Sequence, residues 1–202
     1  MGQEIDCEVR IGEVTSRARV QLESESLIVR VKPSRIFPFS EMQSVVVDGD
    51  FLSIESTQAN IRLHLGGKAE VWAEKIRNPK SVMDRIGVKA TDIVSVLGLG
   101  NDPFVADLER RAQLVLRDRV HKGSSLIFLR LETEADLEKI ESLAKSLTGD
   151  GAIWILRPKG KTGVPETETM RAGKAAGLVD VKVVKFSELL SAEKFVIPVK
   201  KR

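Results

Sequence analysis

The stretch Asp92-Ile93-Val94-Ser95-Val96-Leu97-Gly98-Leu99-Gly100-Asn101-Asp102-Pro103 decides the fold. Residues 92–97 are nearly all apolar or β-branched, the composition of a strand buried on both faces of a parallel sheet. Two glycines then break the run. Asp102 stands where it can cap a helix, and Pro103 takes the first helical position, where a missing N–H costs nothing. Strand, glycine turn and capped helix, in that order, open an α/β fold.

Downstream the alternation of strand and helix continues, which predicts a mostly parallel sheet. Strands are expected at 112–116, ending near Asp118, and at 125–131. A helix over 133–147 opens on Thr133-x-x-Asp136, a capping-box pattern with Asp where Glu or Gln is usual. The turn Gly149-Asp150-Gly151 should precede a strand at 152–156. A helix over 165–176 ends at Gly177, and strands at 181–185 and 195–199 close the series.

Upstream the period is different. Apolar residues alternate up to about Leu65, as in half-buried strands. Ile5, Cys7, Val9 and Ile11 form one row, Ala18, Val20 and Leu22 the next, and Leu27, Val29 and Val31 a third. Pro38 cannot donate to a ladder, so its strand belongs at an edge or bend. Asp48-Gly49-Asp50 between apolar runs signals a hairpin. Seven strands are counted, and then Ala69, Trp72, Ala73 and Ile76 mark one helical face that stops at Asn78-Pro79. Seven antiparallel strands followed by one amphipathic helix are architecturally similar to pleckstrin-homology-like barrels, in which that helix plugs an open end, here with Trp72. A small sandwich is the rival arrangement. The expectation is two domains, a β-rich module at 1–80 and an α/β domain at 81–202.

Composition narrows the function classes. The 202 residues include 42% hydrophobic and 30% charged, a globular balance. With no Tyr, two Trp and seven Phe, the chain is poor in the aromatic platforms on which single-strand binders stack bases. The net charge is +3, and neither half has the one-signed field of a nucleic-acid footprint, so no specific nucleic-acid partner is expected. No apolar run approaches a membrane span, and MGQEIDCEVR does not read as a secretory signal. The single Cys7 fits a reducing, cytoplasmic setting.

The segment from about residue 83 onward resembles a bacterial family of unknown function with a shortened, methyltransferase-like Rossmann core. Ile86-Gly87-Val88-Lys89, Val96-Leu97-Gly98, Gly151-Ala152-Ile153-Trp154, Arg157-Pro158-Lys159, Ala176-Gly177-Leu178-Val179-Asp180 and Lys194-Phe195-Val196-Ile197 carry the resemblance. It implies a truncated three-layer α/β fold. By similarity to class I methyltransferases it also implies a cofactor crevice for S-adenosylmethionine at Gly98, Leu99, Gly100 and Asn101, with Asp118 as the acid for the ribose hydroxyls. The chain departs from that pattern at Asp102 and Pro103, where a third glycine would stand. Only a few residues separate Arg117 from Ser125, too few for a usual third strand and its helix. Arg130-Leu131-Glu132 stands where an Asn/Asp-Pro-Pro-aromatic motif would sit.

Outside that turn, His121 lies in a loop expected near the carboxyl ends of the strands, with Asp118 close enough in sequence to make an acid–base pair. Arg157, Lys159 and Lys161 form a cationic loop suited to an anionic ligand. His64 and the arginines Arg10, Arg17 and Arg19 read as a solvated strand face. No spacing suggests a metal, and no catalytic residue is assigned. Three functions follow as expectations. The first is a non-catalytic or degenerate methyltransferase-like binding or scaffold protein, whose β module takes a protein partner. The second is an S-adenosylmethionine-dependent methyltransferase, and the third is an anion or nucleotide sensor.

Overall fold

The alternating rows of the first 65 residues form strands in a computed structural model that describes residues 2–160 and 163–201, the last by its backbone only. The strands are β1 (Gln3–Ile11), β2 (Val14–Leu22), β3 (Ser26–Arg30), β4 (Arg35–Pro38), β5 (Met42–Asp48), β6 (Phe51–Ser56) and β7 (Asn60–His64). They make one antiparallel sheet in the order β4-β3-β2-β1-β7-β6-β5, in which β1 also pairs with β7. Pro38 ends the edge strand β4, where its missing N–H leaves no ladder bond unmade. Gly49 is the first residue of the two-residue β5–β6 loop, with φ 58°. A glycine at that position suits the hairpin turns that match strand twist.

The inward rows and helix α1 (Ala69–Arg77) share one core. Ala69, Trp72, Ala73 and Ile76 are all buried in it, so the helical spacing in the sequence marks the face that packs against β5 and β6. Cys7 lies in the same core, and burial, reinforced by neighbouring Asp6, pushes its thiol up to about 11. A thiol so disfavoured as thiolate is an inert core residue at neutral pH.

Met1–Lys80 and Ser81–Arg202 are separate compact units. The second carries β8 (Ile93–Leu97), β9 (Leu114–Arg117), β10 (Ser124–Arg130), β11 (Leu147–Pro158), β12 (Val179–Lys185) and β13 (Leu190–Val196). Their order is β12-β13-β11-β10-β8-β9. The pairs β9–β8, β8–β10 and β10–β11 are parallel, and β13 runs against both of its neighbours. Helices α2 (Val82–Ile86) and α3 (Pro103–Arg111) bury Met83, Ile86, Phe104, Val105 and Leu108 against one face. On the other face, α4 (Lys139–Ala144) contributes Ile140 and Leu143 to the core, with α5 (Glu166–Ala175) beside it. Gly173 in α5 packs so closely on Phe195 that a Cβ there would come within 2.5 Å of the ring. That glycine is a packing requirement rather than a turn.

Several expected boundaries are corrected. The helix expected over 133–147 is a 3-10 turn, Glu134–Glu138, followed by the short α4. Leu147 already belongs to β11, and Gly149-Asp150-Gly151 lies inside that strand rather than in a turn before it. The β10–β11 register jumps there, from Ser124↔Leu147 to Leu126↔Ala152. Gly151 permits this bulge because its backbone passes the carbonyls of Ser124 and Ser125, each 3.1 Å from where a Cβ would lie. The last strand begins at Leu190 rather than 195 and ends at Val196, two residues before Pro198. Helix α2 was not foreseen. It starts at Ser81, whose Oγ accepts the Asp84 amide at 3.1 Å, and it ends at Gly87 with φ 85°.

The capping box at Thr133 is present in both directions. Asp136 also accepts the Glu132 amide at 2.9 Å and pairs with Lys139 at 2.7 Å. Lys139 and these backbone donors hold its carboxyl down at about 2. Its folded-state value lies below the unfolded one, so its stabilising contribution is complete above the usual Asp range near 4. It is lost as pH falls through about 2. Asp136→Asn should therefore flatten the acid limb of stability between roughly pH 4 and 2 and change its neutral-pH slope little. Urea titrations across that range check this; an acid limb identical to the native one would contradict it.

Candidate functional site

The candidate crevice comes from the chain direction. From β8 the chain crosses to β9 on one side, then returns to β10 on the other side of β8. Such a reversal leaves a crevice outside the carboxyl ends of the strands on either side, the usual ligand position in open α/β sheets. Gly98 follows β8 directly with φ 75°, and Gly100 has φ 53°, a conformation L side chains rarely adopt. Between them Leu99 turns into the core, while Asn101 is exposed. Asp102 Oδ1 accepts the Phe104 amide at 2.9 Å and caps α3.

Asp118 meets Gly98 at this point. The Gly98 amide donates to Asp118 Oδ1 at 3.2 Å, and the Asp118 amide donates to the Val96 carbonyl at 2.7 Å. Asp118 is the one described non-glycine residue with positive φ, 50°. A strained backbone held by two hydrogen bonds fixes the acid against the glycine turn. The residues expected to meet do meet, but the carboxylate accepts the turn's own amide.

His121 is placed differently from the expectation. After Asp118 the chain runs back to the amino end of β10. The His121 amide donates to Ser95 Oγ at 2.9 Å, and its carbonyl accepts Ser124 Oγ at 2.8 Å. Ser124 opens β10, so His121 sits at the end of that strand opposite the crevice. It shares no hydrogen bond or ion pair with Asp118 among the described residues. The shortness of the β9–β10 connection is the reason: with no strand between them, these residues are used to recross the sheet.

The cationic loop is mostly committed to the fold. Arg157 Nε donates to Glu193 Oε1 at 2.7 Å, and Nη2 reaches Glu166 at 3.3 Å. Glu193 is 3% exposed, and its other oxygen accepts Thr169 Oγ1 at 2.7 Å. Lys159 Nζ donates to the Ser187 carbonyl at 2.6 Å. Lys161 lies outside the described residues. Sequence reasoning placed Glu193 outside the last strand and so missed its pairing with Arg157. No short-range pattern announces a partner 36 positions away.

Sequence reasoning also treated Arg130 only as a departure from a motif. The Leu129↔Leu97 pairing carries Arg130 to the level of Gly98, and a Cβ on Gly98 would lie 3.4 Å from the Arg130 carbonyl. Its Nε is buried without a hydrogen-bond partner.

In the first unit His64 faces outward, stacked on Phe51 at 4.8 Å between ring centres. Arg10 pairs with Glu13, and Arg19 with Asp6 and Glu4, as a solvated face would. A depression of about 490 Å³ there is lined by Asp6, Glu8, Arg17 and His64, groups of both signs. Among the described residues no cluster of three or more His, Cys, Asp or Glu could hold a metal ion. Among the described residues no helix is long and apolar enough to cross a membrane.

Comparison with known proteins finds no matching family profile and no matching curated protein. Solved structures are similar at low identity. The chain is similar to a TehB-like SAM-dependent methyltransferase from Corynebacterium glutamicum, with 12% identity, a TM-score of 0.45, and coverage of 64% of this chain and 96% of that one. It is similar to the pyocyanin biosynthetic protein PhzM, with 12% identity and a TM-score of 0.44, over 65% of this chain but only 58% of that one. It is also similar to the N-terminal PH domain of human ARAP2, with 14% identity and a TM-score of 0.34, over 42% of this chain and 81% of that one. All three TM-scores are below 0.5, so function has to be read from the site.

Proposed function

We propose that this protein is a non-catalytic binding protein. Its second unit is a shortened methyltransferase-like core that holds a small ligand in the Gly98–Asn101 crevice. Its first unit is a pleckstrin-homology-like module that engages a protein partner. The observation that carries the reading is the hydrogen bond from the Gly98 amide to Asp118. An acid meant for ribose hydroxyls would present its oxygens to the ligand, whereas Asp118 spends one on the turn that would cradle it. The sheet supports the same reading, because β9 is its outer strand and, among the described residues, no further strand extends the crevice wall.

The residues present do not fit S-adenosylmethionine. Besides the committed Asp118, Asp102 and Pro103 stand where the turn would need a third glycine, and Asp102 is already taken as the cap of α3. A methyltransferase is the second reading, and the glycine turn that follows β8 directly at the switch point favours it. Calorimetry on the whole chain separates the two. S-adenosylmethionine and S-adenosylhomocysteine at millimolar concentration are expected to give flat heat traces. Micromolar binding that Asp118→Ala abolishes would establish the second reading in place of the first.

A further inference from the structure

We infer that Arg130 makes the Gly98–Asn101 crevice an anion site that takes the phosphoryl group of a small phosphorylated ligand. The inference rests on the binding reading above and names the chemistry of its ligand. Four observations carry it.

The first is position. Arg130 is the last residue of β10, level with Gly98, so it stands at the carboxyl end of the switch-point strands. It pairs with Leu156 in the β10–β11 register, which puts it on the same sheet face as Phe128. Phe128 stacks edge-on against Phe104 in the first turn of α3, with ring centres 5.2 Å apart. Arg130 therefore lies on the sheet face that α3 covers, one step nearer the crevice than Phe128.

The second is an unmet bonding need. Arg130 Nε is buried and bonds to nothing. Among the described residues no acidic side chain forms an ion pair with this guanidinium. Most other partly buried polar groups of the unit are satisfied, as the Arg157–Glu193–Thr169 network illustrates. His121 Nδ1, Thr148 Oγ1 and Trp154 Nε1 are likewise buried without a partner, but of these groups Arg130 alone is a full charge at the carboxyl end of the switch-point strands.

The third is space. Nothing lies within 4 Å of where a Cβ on Gly100 would project. The glycine turn is thus open at Gly100, two residues beyond the glycine that Arg130 adjoins.

The fourth is charge type. A guanidinium presents a fork of donors that matches phosphate or carboxylate oxygens with two parallel bonds. Asp118 and Asp102 also flank the crevice, but each has an oxygen committed to an amide, of Gly98 and Phe104 respectively. What favours a phosphoryl group is therefore its two-point fit to the guanidinium fork rather than its net charge, since the two acids repel any anion in proportion to that charge. With Asp102 capping α3, the cation rather than the helix terminus supplies the attraction.

The test is calorimetry and thermal shift on the whole chain with inorganic pyrophosphate, AMP, ADP and unphosphorylated adenosine. At least one phosphorylated probe should raise the melting temperature by several degrees. Arg130→Ala should weaken its binding at least tenfold, Arg130→Lys should retain part of it, and Lys159→Ala should leave it unchanged. Pyrophosphate against the nucleotides tells whether the phosphoryl group alone or a nucleoside with it is held. Unliganded Arg130→Met should melt no lower than the native chain, because no partner is lost; a fall of several degrees would assign the residue to packing and overturn the inference. Failure of every phosphorylated probe, or equal binding by Arg130→Ala, also overturns it. If adenosine binds regardless of Arg130, the binding reading stands and the anion inference falls. If no probe binds, both fall.

Discussion

Replacing Glu193 with alanine should destabilise the second unit by about 3–5 kcal/mol, the usual cost of stranding one partner of a buried ion pair. The carboxylate is 3% exposed, and both of its oxygens are used, one by Arg157 Nε and one by Thr169 Oγ1, each at 2.7 Å. Removing it leaves the Arg157 guanidinium, whose side chain is 14% exposed, with only the longer contact to Glu166. It also leaves a hydroxyl on the fully buried Thr169 with one fewer partner. The pair joins β11, β13 and α5, so its loss loosens the antiparallel side of the sheet rather than the crevice. Glu193→Gln keeps the shape and one acceptor and should cost less than the alanine. The double replacement Arg157→Met with Glu193→Leu should recover most of the loss, since apolar residues of similar volume often match a buried ion pair. Urea denaturation of the four proteins tests this. Equal stability of Glu193→Ala and native protein would show that the pair does not hold these elements together.

Trp72→Ala should have an effect of similar size, about 3–5 kcal/mol, felt in the first unit. Trp72 is 1% exposed and is the largest buried side chain of that core. A unit of about 80 residues has little stability to spare, so a loss of this size consumes most of it. The indole Nε1 is itself buried without a partner. Trp72→Phe removes that orphan donor while keeping most of the apolar area, and should therefore cost clearly less than the alanine. Hydrogen exchange is the suitable readout. Peptides within residues 1–80 should lose protection in Trp72→Ala, while peptides of β8, β10 and β11 keep theirs. Undiminished protection in β1, β6 and β7 would contradict the role given to Trp72.

Some elements were legible in the sequence because their signals are local. The rows Cys7–Val9 and Val20–Leu22, the Gly49 hairpin and the Ala69–Trp72–Ala73–Ile76 face each depend on side-chain periodicity over a few residues. The cap at Asp102 and the box at Thr133 are equally local, and both form. Helix α2 had a usable signal in Ser81-x-x-Asp84 and Gly87, but its five residues are too few for a period to show. The boundary between α4 and β11 was misplaced because the bulge at Gly151 depends on the carbonyls of Ser124 and Ser125, which are remote in sequence.

By itself, then, the sequence determined the two periods, the end of the first near Leu65, the glycine turn after β8 and the shortness of the β9–β10 link. Tertiary structure alone decided what the polar residues do. Asp118 turned to the Gly98 amide, His121 went to the amino end of β10, Arg157 was taken by Glu193, and Arg130 was left without a partner beside the crevice. The physical reason is range. Apolar periodicity acts between neighbours along the chain, while a charge or hydrogen-bond donor is satisfied by whichever group the packed sheet brings within about 3 Å, and that group can lie anywhere in the sequence.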